Sequence, residues 1–543
     1  MIAGPGGRGQ IWDDSSRLLL LALLVIVWLT FRDYGITNDE KVQDLYGRML
    51  LSFYRSGFQD LSAFSYQDLY YYGGLFDLVA AALYPVSPLG EYETRHLLCA
   101  LIGVLGIAGT WRLGRLSGGP RAGFIAALLL ALTGAYFGAM ANNTKDVPFA
   151  AGMVWTLYYL VRALRALPAC PSRRTVAMTG LLLGLTMSIR VGAAIVVVYL
   201  LAALALSLVL DRRPGGGGAG WAESRRFLLR LWPVPVIAYG VMAVFWPWAV
   251  LSPLNPLRAV STFSHMAVHV ETLLDGVALW SDRPPSSYVP VYLAVKLPEA
   301  LLAGLLLSVA AAFRPQGAPR AHRVALLPVV LAAGAPVLLF MLMRPTIYNG
   351  IRHFLFVIPP LAVLAALGID CGWRLAAGFG ARPGRLAGAL LGVVALSQAW
   401  LLVRLHPNEY VAYNALAGGL AGAVGRFELD YWGNSLPEAE RRLATLLALE
   451  SEGRAPPVQP YRIAVCGQPL AAGYFLPPGL RLAAPEEWQS ADFFLYTSHQ
   501  QTHHELCPGI LAGRPMVVVE VLGVPLSIVK DRRALLPARP ATP

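Results

Sequence analysis

The chain reads as a multi-pass α-helical membrane protein of about eleven transmembrane helices, with a small C-terminal α/β domain outside the membrane. Three observations predict this. Of the 543 residues, 56% are hydrophobic and only 14% charged, where soluble proteins carry about 25%. The mean hydropathy is +0.53. The apolar residues also fall in blocks of roughly 15–22, enough to cross about 30 Å of hydrocarbon at 1.5 Å per residue.

The blocks predict helices near 18–31, 96–111, 122–140, 148–164, 175–190, 192–210, 229–250, 291–312, 324–343, 353–372 and 386–404. The first follows Arg8 and Arg17 and is succeeded by Arg32-Asp33-Tyr34, with no small-residue cleavage pattern, so it reads as a retained helix. With the N-terminus in the cytoplasm, the inside loops carry Arg112, Arg115, Arg121, Arg162, Arg165, Arg173, Arg174, Arg212, Arg213, Arg225 and Arg226. Farther on they carry Arg314, Arg320, Arg323, Arg374, Arg382 and Arg385. The short outside loops hold only Lys145, Arg190, Arg344 and Arg352. This is a positive-inside bias. It accounts for the net charge of +12 and leaves no basic patch of nucleic-acid type.

The reading divides the chain into a membrane domain, 1–405, with outer loops 32–95 and 251–290, and an extracytoplasmic domain, 406–543. In the latter, Ser435-Leu436-Pro437-Glu438 predicts a capping box opening a helix through about Leu449. Strands are expected at Tyr461–Cys466, Asp492–Thr497 and Met516–Lys530, the last turning at Gly523-Val524-Pro525. Cys466 and Cys507 share the oxidising side and are candidates for a disulfide.

Chemistry needs polar groups, and these gather on the outside face. Thr37-Asn38-Asp39-Glu40 follows the first helix. Neighbouring acids do not face the same way on a helix, so one points outward while the other caps or pairs. A local reading, in which both serve the helix N-terminus, competes. Asn142-Asn143-Thr144-Lys145-Asp146-Val147-Pro148 forms a short loop in which Asp146 is a second acid and Lys145 a phosphate contact. There too, a cap with a local ion pair is the plainer alternative.

Arg344-Pro345-Thr346-Ile347-Tyr348-Asn349-Gly350-Ile351-Arg352-His353 precedes Pro359-Pro360. Arg352 and His353 sit at the mouth of a helix, at the depth of a lipid phosphate, which arginine grips bidentately. Snorkelling is the alternative. The paired prolines suggest a broken helix lining a cavity. Arg190 lies between two apolar blocks with almost no loop, where a charge usually faces a cavity or a partner. His265 and His269 share a helical face at i and i+4, but no Glu accompanies the first, so no zinc-protease motif is present.

In this order and on one side, these pieces resemble the lipid-carrier-dependent membrane glycosyltransferases of the C-type superfamily. More narrowly, they resemble the bacterial branch related to protein O-mannosyltransferases and lipid A aminoarabinose transferase, of glycosyltransferase family 39 type. The resemblance is carried by Asp39-Glu40, Asn143 through Phe149, Arg352 through Pro360, Ser286 through Pro298, His406-Pro407 and Tyr410 through Asn414. It covers about residues 15–415, and the tail more loosely.

The resemblance implies the C-type glycosyltransferase fold, and inverting transfer of a sugar from a polyprenyl-phosphate donor to a lipid, glycan or protein acceptor. Asp39 would be the catalytic acid/base and Asp146 the second acidic residue. Glu40, Asn143, Lys145, Arg190, Tyr348, Arg352 and His353 would bind substrate. No cofactor is fixed by the resemblance, and a divalent metal is left open. The implied setting is the bacterial inner membrane, with the C-terminal domain periplasmic. One departure stands out: residues 71–74 read Tyr-Tyr-Gly-Gly where many relatives carry a Lys-Pro-Pro-type motif. Two rival functions remain, a transporter or lipid flippase and an inactive binding relative. Transport would predict ionisable groups in mid-helix and inverted repeats, whereas here the helix centres are nearly free of charge.

Overall fold

The computed structural model describes residues 5–210, 219–265, 268–313, 319–451, 459–467, 469–501 and 511–537. All eleven predicted segments lie on helix. The first seven helices are α1 (Pro5–Thr30), α2 (Asn38–Arg55), α3 (Leu75–Leu83), α4 (Glu91–Gly118), α5 (Pro120–Ala131), α6 (Gly134–Phe137) and α7 (Asp146–Leu164).

Among the described residues, seven helices are long and apolar enough to cross a membrane: α4, α7, Val191–Leu210, Gly220–Phe245, Arg320–Met343, Arg352–Gly378 and Ala381–Leu405. The pair Tyr288–Lys296 and Glu299–Ala312, bent by 114°, makes an eighth if taken together as one broken span. The other three predicted segments differ for local reasons. In α1, Asp13, Asp14 and Arg17 precede the apolar stretch and shorten it. The segment 122–140 is interrupted after α5 at Leu132-Thr133, and Arg173–Met187 is only 15 residues long. The face of α1 bearing Leu21, Val25, Trp28 and Leu29 is exposed, as a lipid-facing helix requires.

The bend at Leu297-Pro298 frees backbone carbonyls that need partners. Asn414 supplies them, donating Nδ2 to Ala294 O at 2.6 Å and to Leu297 O at 2.7 Å. By contrast, Pro359-Pro360 breaks nothing. A 3₁₀ turn, Arg352–Val357, leads into the helix Ile358–Gly378, and the prolines occupy its first turn, where no N–H is missed.

The two ends of the bundle differ. At one end the arginine-bearing connectors pair with one another: Arg115 with Asp13 at 2.6 Å, Arg121 and Arg374 with Asp370, and Arg320 with Glu223 at 3.6 Å. At the opposite end gather loop 32–95, the loop before α7 and the segment before Arg352. There a hairpin, β1 (Glu271–Leu274) with β2 (Val277–Trp280), turns through Asp275-Gly276, both at positive φ. An Asp-Gly turn of this kind matches strand twist.

The C-terminal region holds a five-stranded sheet in the order β4-β3-β5-β7-β6. Its strands are β3 (Tyr461–Val465), β4 (Leu480–Leu482), β5 (Phe493–Thr497), β6 (Arg514–Val521) and β7 (Val524–Asp531). Strands β3, β4 and β5 run parallel, and β7 is antiparallel to both neighbours. The last hairpin turns at Leu522-Gly523, and Pro525 lies inside β7 opposite Glu520 at a register shift. Helix Leu436–Glu450 covers the sheet with Leu436, Ala439 and Leu443. Its predicted capping box does not form, because Ser435 turns its hydroxyl to Asp430 instead. Residues 410–432 belong to the main core through Tyr410, Tyr413, Phe427, Tyr431 and Trp432. Cys466 is disulfide-bonded; Cys507 lies outside the described residues.

Candidate active site

Helix α2 begins at the predicted acids and separates them. The Thr37 N–H donates to Glu40 Oε2 at 2.8 Å, and Glu40 Oε1 lies 3.1 Å from His96 Nε2. Glu40 is thus fully buried and spent on the cap and on α4. It does not face the site. Asp39, one residue earlier, points the other way: its carboxylate is 52% exposed and lies 2.8 Å from Arg352 Nη1.

At the start of α7, Asn143 brackets Asp146. Its Oδ1 accepts the Asp146 N–H and its Nδ2 donates to Asp146 Oδ2, both at 3.0 Å. The other carboxylate oxygen of Asp146 forms an ion pair with Arg190. Arg190 sits where the chain passes from Arg173–Met187 into the 3₁₀ turn Val191–Ala194.

Lys145 is buried, with its ammonium 3.9 Å from the centre of the Tyr72 ring. The guanidinium of Arg190 lies over the same ring at 5.8 Å. Burial pulls the Lys145 pKa down to about 8, against the opposing charge of Asp77 and with help from Arg190. Arg352 rests on the Tyr348 ring at 4.6 Å, and His353 packs edge-on against that ring at 5.1 Å. Arg352 feels the charges of both Asp39 and Asp146, while Lys145 feels those of Asp39, Asp146 and Arg190. Asp39, Asp146, Lys145, Arg190, Tyr348, Arg352 and His353 therefore share one constellation, with Asn143 supporting Asp146.

Sequence reasoning missed Tyr72. It lies in the aromatic run that departs from the expected Lys-Pro-Pro-type motif, and it serves as the floor for two of the three cations. Also missed was the polar layer behind the site. Arg95 is fully buried and donates Nη2 to Asp77 Oδ1 at 2.7 Å and to Thr144 Oγ1 at 3.3 Å, and Thr144 donates to Gln43 at 2.5 Å. Burial raises the Asp77 pKa, against the pull of Arg95 and Lys145. Removing one partner of such a buried pair costs about 3–5 kcal/mol.

His269 is stacked on Trp280 at 4.0 Å and lies 3.3 Å from Asp282; the side chain of His265 lies outside the described residues. Among the described residues, no three His, Cys, Asp or Glu side chains cluster as metal ligands would. Both site carboxylates pair with guanidinium groups.

Residues 92–214 match the family model of dolichyl-phosphate-mannose-protein mannosyltransferases. No curated protein matches the chain. Among solved structures, the chain is similar to ArnT from Cupriavidus metallidurans bound to undecaprenyl phosphate. Identity is 16%, coverage 96% of this chain and 99% of that one, and TM-score 0.47. It is also similar to the oligosaccharyltransferase of Archaeoglobus fulgidus tethered with an acceptor peptide, at 14% identity, 89% and 69% coverage and TM-score 0.42. A third similar structure is the arabinosyltransferase EmbB from Mycobacterium smegmatis, at 16%, 72% and 37%, and 0.39. The segment matched by the family model contains Asn143, Lys145, Asp146 and Arg190.

Proposed function

We propose that the chain is an inverting glycosyltransferase that moves a sugar from a polyprenyl-phosphate carrier to an extracytoplasmic acceptor. The observation that carries this reading is the half-exposed Asp39 carboxylate held 2.8 Å from the buried Arg352, beside Lys145 and Arg190. On this reading Asp39 is the base and Arg352, Lys145 and Arg190 are the cations that hold the phosphate, together at one end of the membrane helices.

The three cations exceed the two site carboxylates, Asp39 and Asp146, by one charge. That surplus suits a singly charged phosphodiester. In the reaction the donor phosphate takes over Arg352 and lies against Lys145 and Arg190, which releases Asp39. Its carboxylate then accepts the proton of the acceptor hydroxyl or amine as that atom attacks the anomeric carbon. The bond from the anomeric carbon to the phosphate oxygen breaks on the opposite face. The carrier leaves as a phosphate monoester, whose added negative charge the three cations hold in a water-poor site. It needs no proton to leave, so one positioned base suffices, contributing roughly 10²–10⁴-fold. Asp146 keeps Arg190 oriented.

The positive-inside rule supports a cytoplasmic location for the end carrying Arg115, Arg121 and Arg374. The site end then faces outward, in a bacterial inner membrane. The test uses purified protein in nanodiscs with a panel of isotope-labelled polyprenyl-phosphate sugars and lipid, glycan and peptide acceptors. Label should move with wild type and not with Asp39→Asn at equal folded yield. Failure of every donor, or equal transfer by Asp39→Asn, overturns the reading. Mass spectrometry of glycolipids and glycoproteins from a deletion strain would identify the acceptor.

A further inference from the structure

We propose that Asn434 is a positioning residue of the transfer site, its side-chain amide tying the loop that carries Asp39 to the loop that carries Asp146. The inference rests on the glycosyltransferase reading above. Asn434 Oδ1 accepts two hydrogen bonds, from the Gly35 N–H at 3.0 Å and from Asn142 Nδ2 at 2.8 Å. The same Asn142 amide donates to Gly35 O at 3.0 Å, which closes a three-way junction. Gly35 precedes Asp39 by four residues, and Asn142 precedes Asp146 by four. Asn142 and Asn434 are 1% and 2% exposed.

The approach is close. A Cβ at Gly35 would stand 3.2 Å from both the Cα and the Oδ1 of Asn434, so glycine is what lets the first loop lie against this amide. Asn434 is itself held firmly. Its Nδ2 donates to Pro407 O at 3.0 Å, and its backbone N–H donates to Asp430 Oδ1 at 2.9 Å.

The same stretch reaches the third part of the site. Tyr431 lines a small cavity beside Arg352. Glu428 accepts from Thr272 Oγ1 at 2.9 Å; Thr272 bonds the Tyr288 hydroxyl at 2.7 Å, which in turn accepts the Gly350 N–H at 3.2 Å. Residues 428–434 therefore bond directly to the segments that supply Asp39 and Asp146, and reach the one that supplies Arg352 through Thr272 and Tyr288. They follow the last helix of membrane-spanning length among the described residues, Ala381–Leu405, yet they fix the spacing of a site built before and between those helices. In-line transfer depends on that spacing, because a shift of about 1 Å can cost on the order of 10²-fold in rate.

The experiment compares wild type, Asn434→Leu and Asn434→Asp in nanodiscs. Both variants lose the donor to Pro407 O; leucine also loses both acceptor bonds, whereas aspartate keeps an acceptor oxygen for Gly35 and Asn142, so the pair isolates the tie between the two loops. Three quantities are read: amide hydrogen exchange in peptides spanning 33–40 and 139–147, binding of a polyprenyl monophosphate, and kcat for transfer. Asn434→Leu should raise exchange in both loops together and leave β3 and β5 protected. It should also leave carrier binding intact and lower kcat by about 10–100-fold. Asn434→Asp should recover most of the rate. Unchanged exchange in the two loops overturns the proposal. So does a wild-type kcat in Asn434→Leu, or a loss of carrier binding that parallels the loss of rate. If wild type binds the carrier but transfers no sugar, the glycosyltransferase reading fails, while the exchange data still decide whether Asn434 ties the loops.

Discussion

The two ends of the helical bundle use the same pairs of residues for different ends. At the connector end, Arg115 and Arg374 pair with Asp13 and Asp370 while their own side chains remain 42% and 63% exposed. There the less exposed members are the acids, Asp13 at 13% and Asp370 at 4%. At the site end Arg352 and Asp146 are each 7% exposed, with partners Asp39 and Arg190 at 52% and 22%. Lys145 is buried beside them, so that two cations and an acid are withdrawn from water together. Exposed pairs contribute about 0–1 kcal/mol and mark orientation. Buried ones carry a desolvation penalty of several kcal/mol per ion. An arrangement so unfavourable to assemble, and left with one cation in surplus, is the kind that a charged ligand completes.

The largest test of that contrast lies within two adjacent residues. Asp39→Asn should lower the transfer rate by about 10²–10⁴-fold and leave the melting temperature near wild type, since the carboxylate is half exposed. Glu40→Ala should do the reverse. It removes the acceptor of the Thr37 N–H and the partner of His96, and should destabilise by roughly 1–3 kcal/mol. Thermal unfolding and kcat measured on both variants would separate base from cap. Equal losses of rate with equal melting temperatures would erase the distinction.

A smaller effect concerns pH. The buried Lys145 has its pKa lowered to about 8. Its charge fades as pH rises through that value, so the donor KM should climb above about pH 8. The sign for stability is opposite. Between about 8 and the unfolded lysine value near 10.4 the unfolded chain binds the extra proton, so this residue alone makes the fold relatively more stable as pH rises. Lys145→Arg should abolish the alkaline rise in KM. A KM flat from pH 7 to 9.5 in wild type would remove Lys145 from the phosphate site.

Much of this site was legible from order and type alone. Asp39, Asp146, Lys145, Arg190 and Arg352 each stand at a helix end on one side of the alternating pattern, and such ends meet when helices pack side by side. What stayed hidden depends on contacts between distant segments. Nothing local says that Glu40 turns toward His96, 56 residues away. Tyr72 gives only an aromatic run, and its role arises when Lys145 and Arg190 arrive from two other loops. Asn434 lies in a stretch without periodicity. The Asp-Gly turn at 275–276 was a fair hairpin signal, but its four-residue strands are too short to alternate visibly. The Ser435 cap failed for a similar reason, since Asp430 competes for the hydroxyl.

Next in size is a clasp at the site end. His406 lies 2.7 Å from Glu409 and 3.0 Å from Asp33, joining the chain after the last membrane helix to the chain after the first. Burial alone would lower its pKa, but the two carboxylates outweigh this and raise it to about 9. A raised histidine stabilises fully below the unfolded value near 6.5, and that contribution is lost as pH climbs through 9. His406→Gln should therefore melt below wild type at pH 6, with the gap closing by pH 10. A gap that does not change with pH would mean that the ring acts by packing on Tyr34 and not by charge.

The smallest expected effect comes from the connector end and sharpens the contrast most cheaply. Arg115 donates to both oxygens of Asp13, at 2.6 and 2.8 Å, a geometry at least as good as that of Arg352 with Asp39. If pairing geometry were what mattered, Asp13→Asn would be as damaging as a substitution in the site. The cation decides otherwise: Arg115 is 42% exposed, against 7% for Arg352, so water and salt screen it once Asp13 is neutral. Asp13→Asn should change stability by under about 1 kcal/mol, lose even that in high salt, and leave kcat and donor KM unaltered. A defect in transfer at normal stability would mean that the two ends are coupled through the helices between them, and the division of labour drawn from exposure would no longer hold.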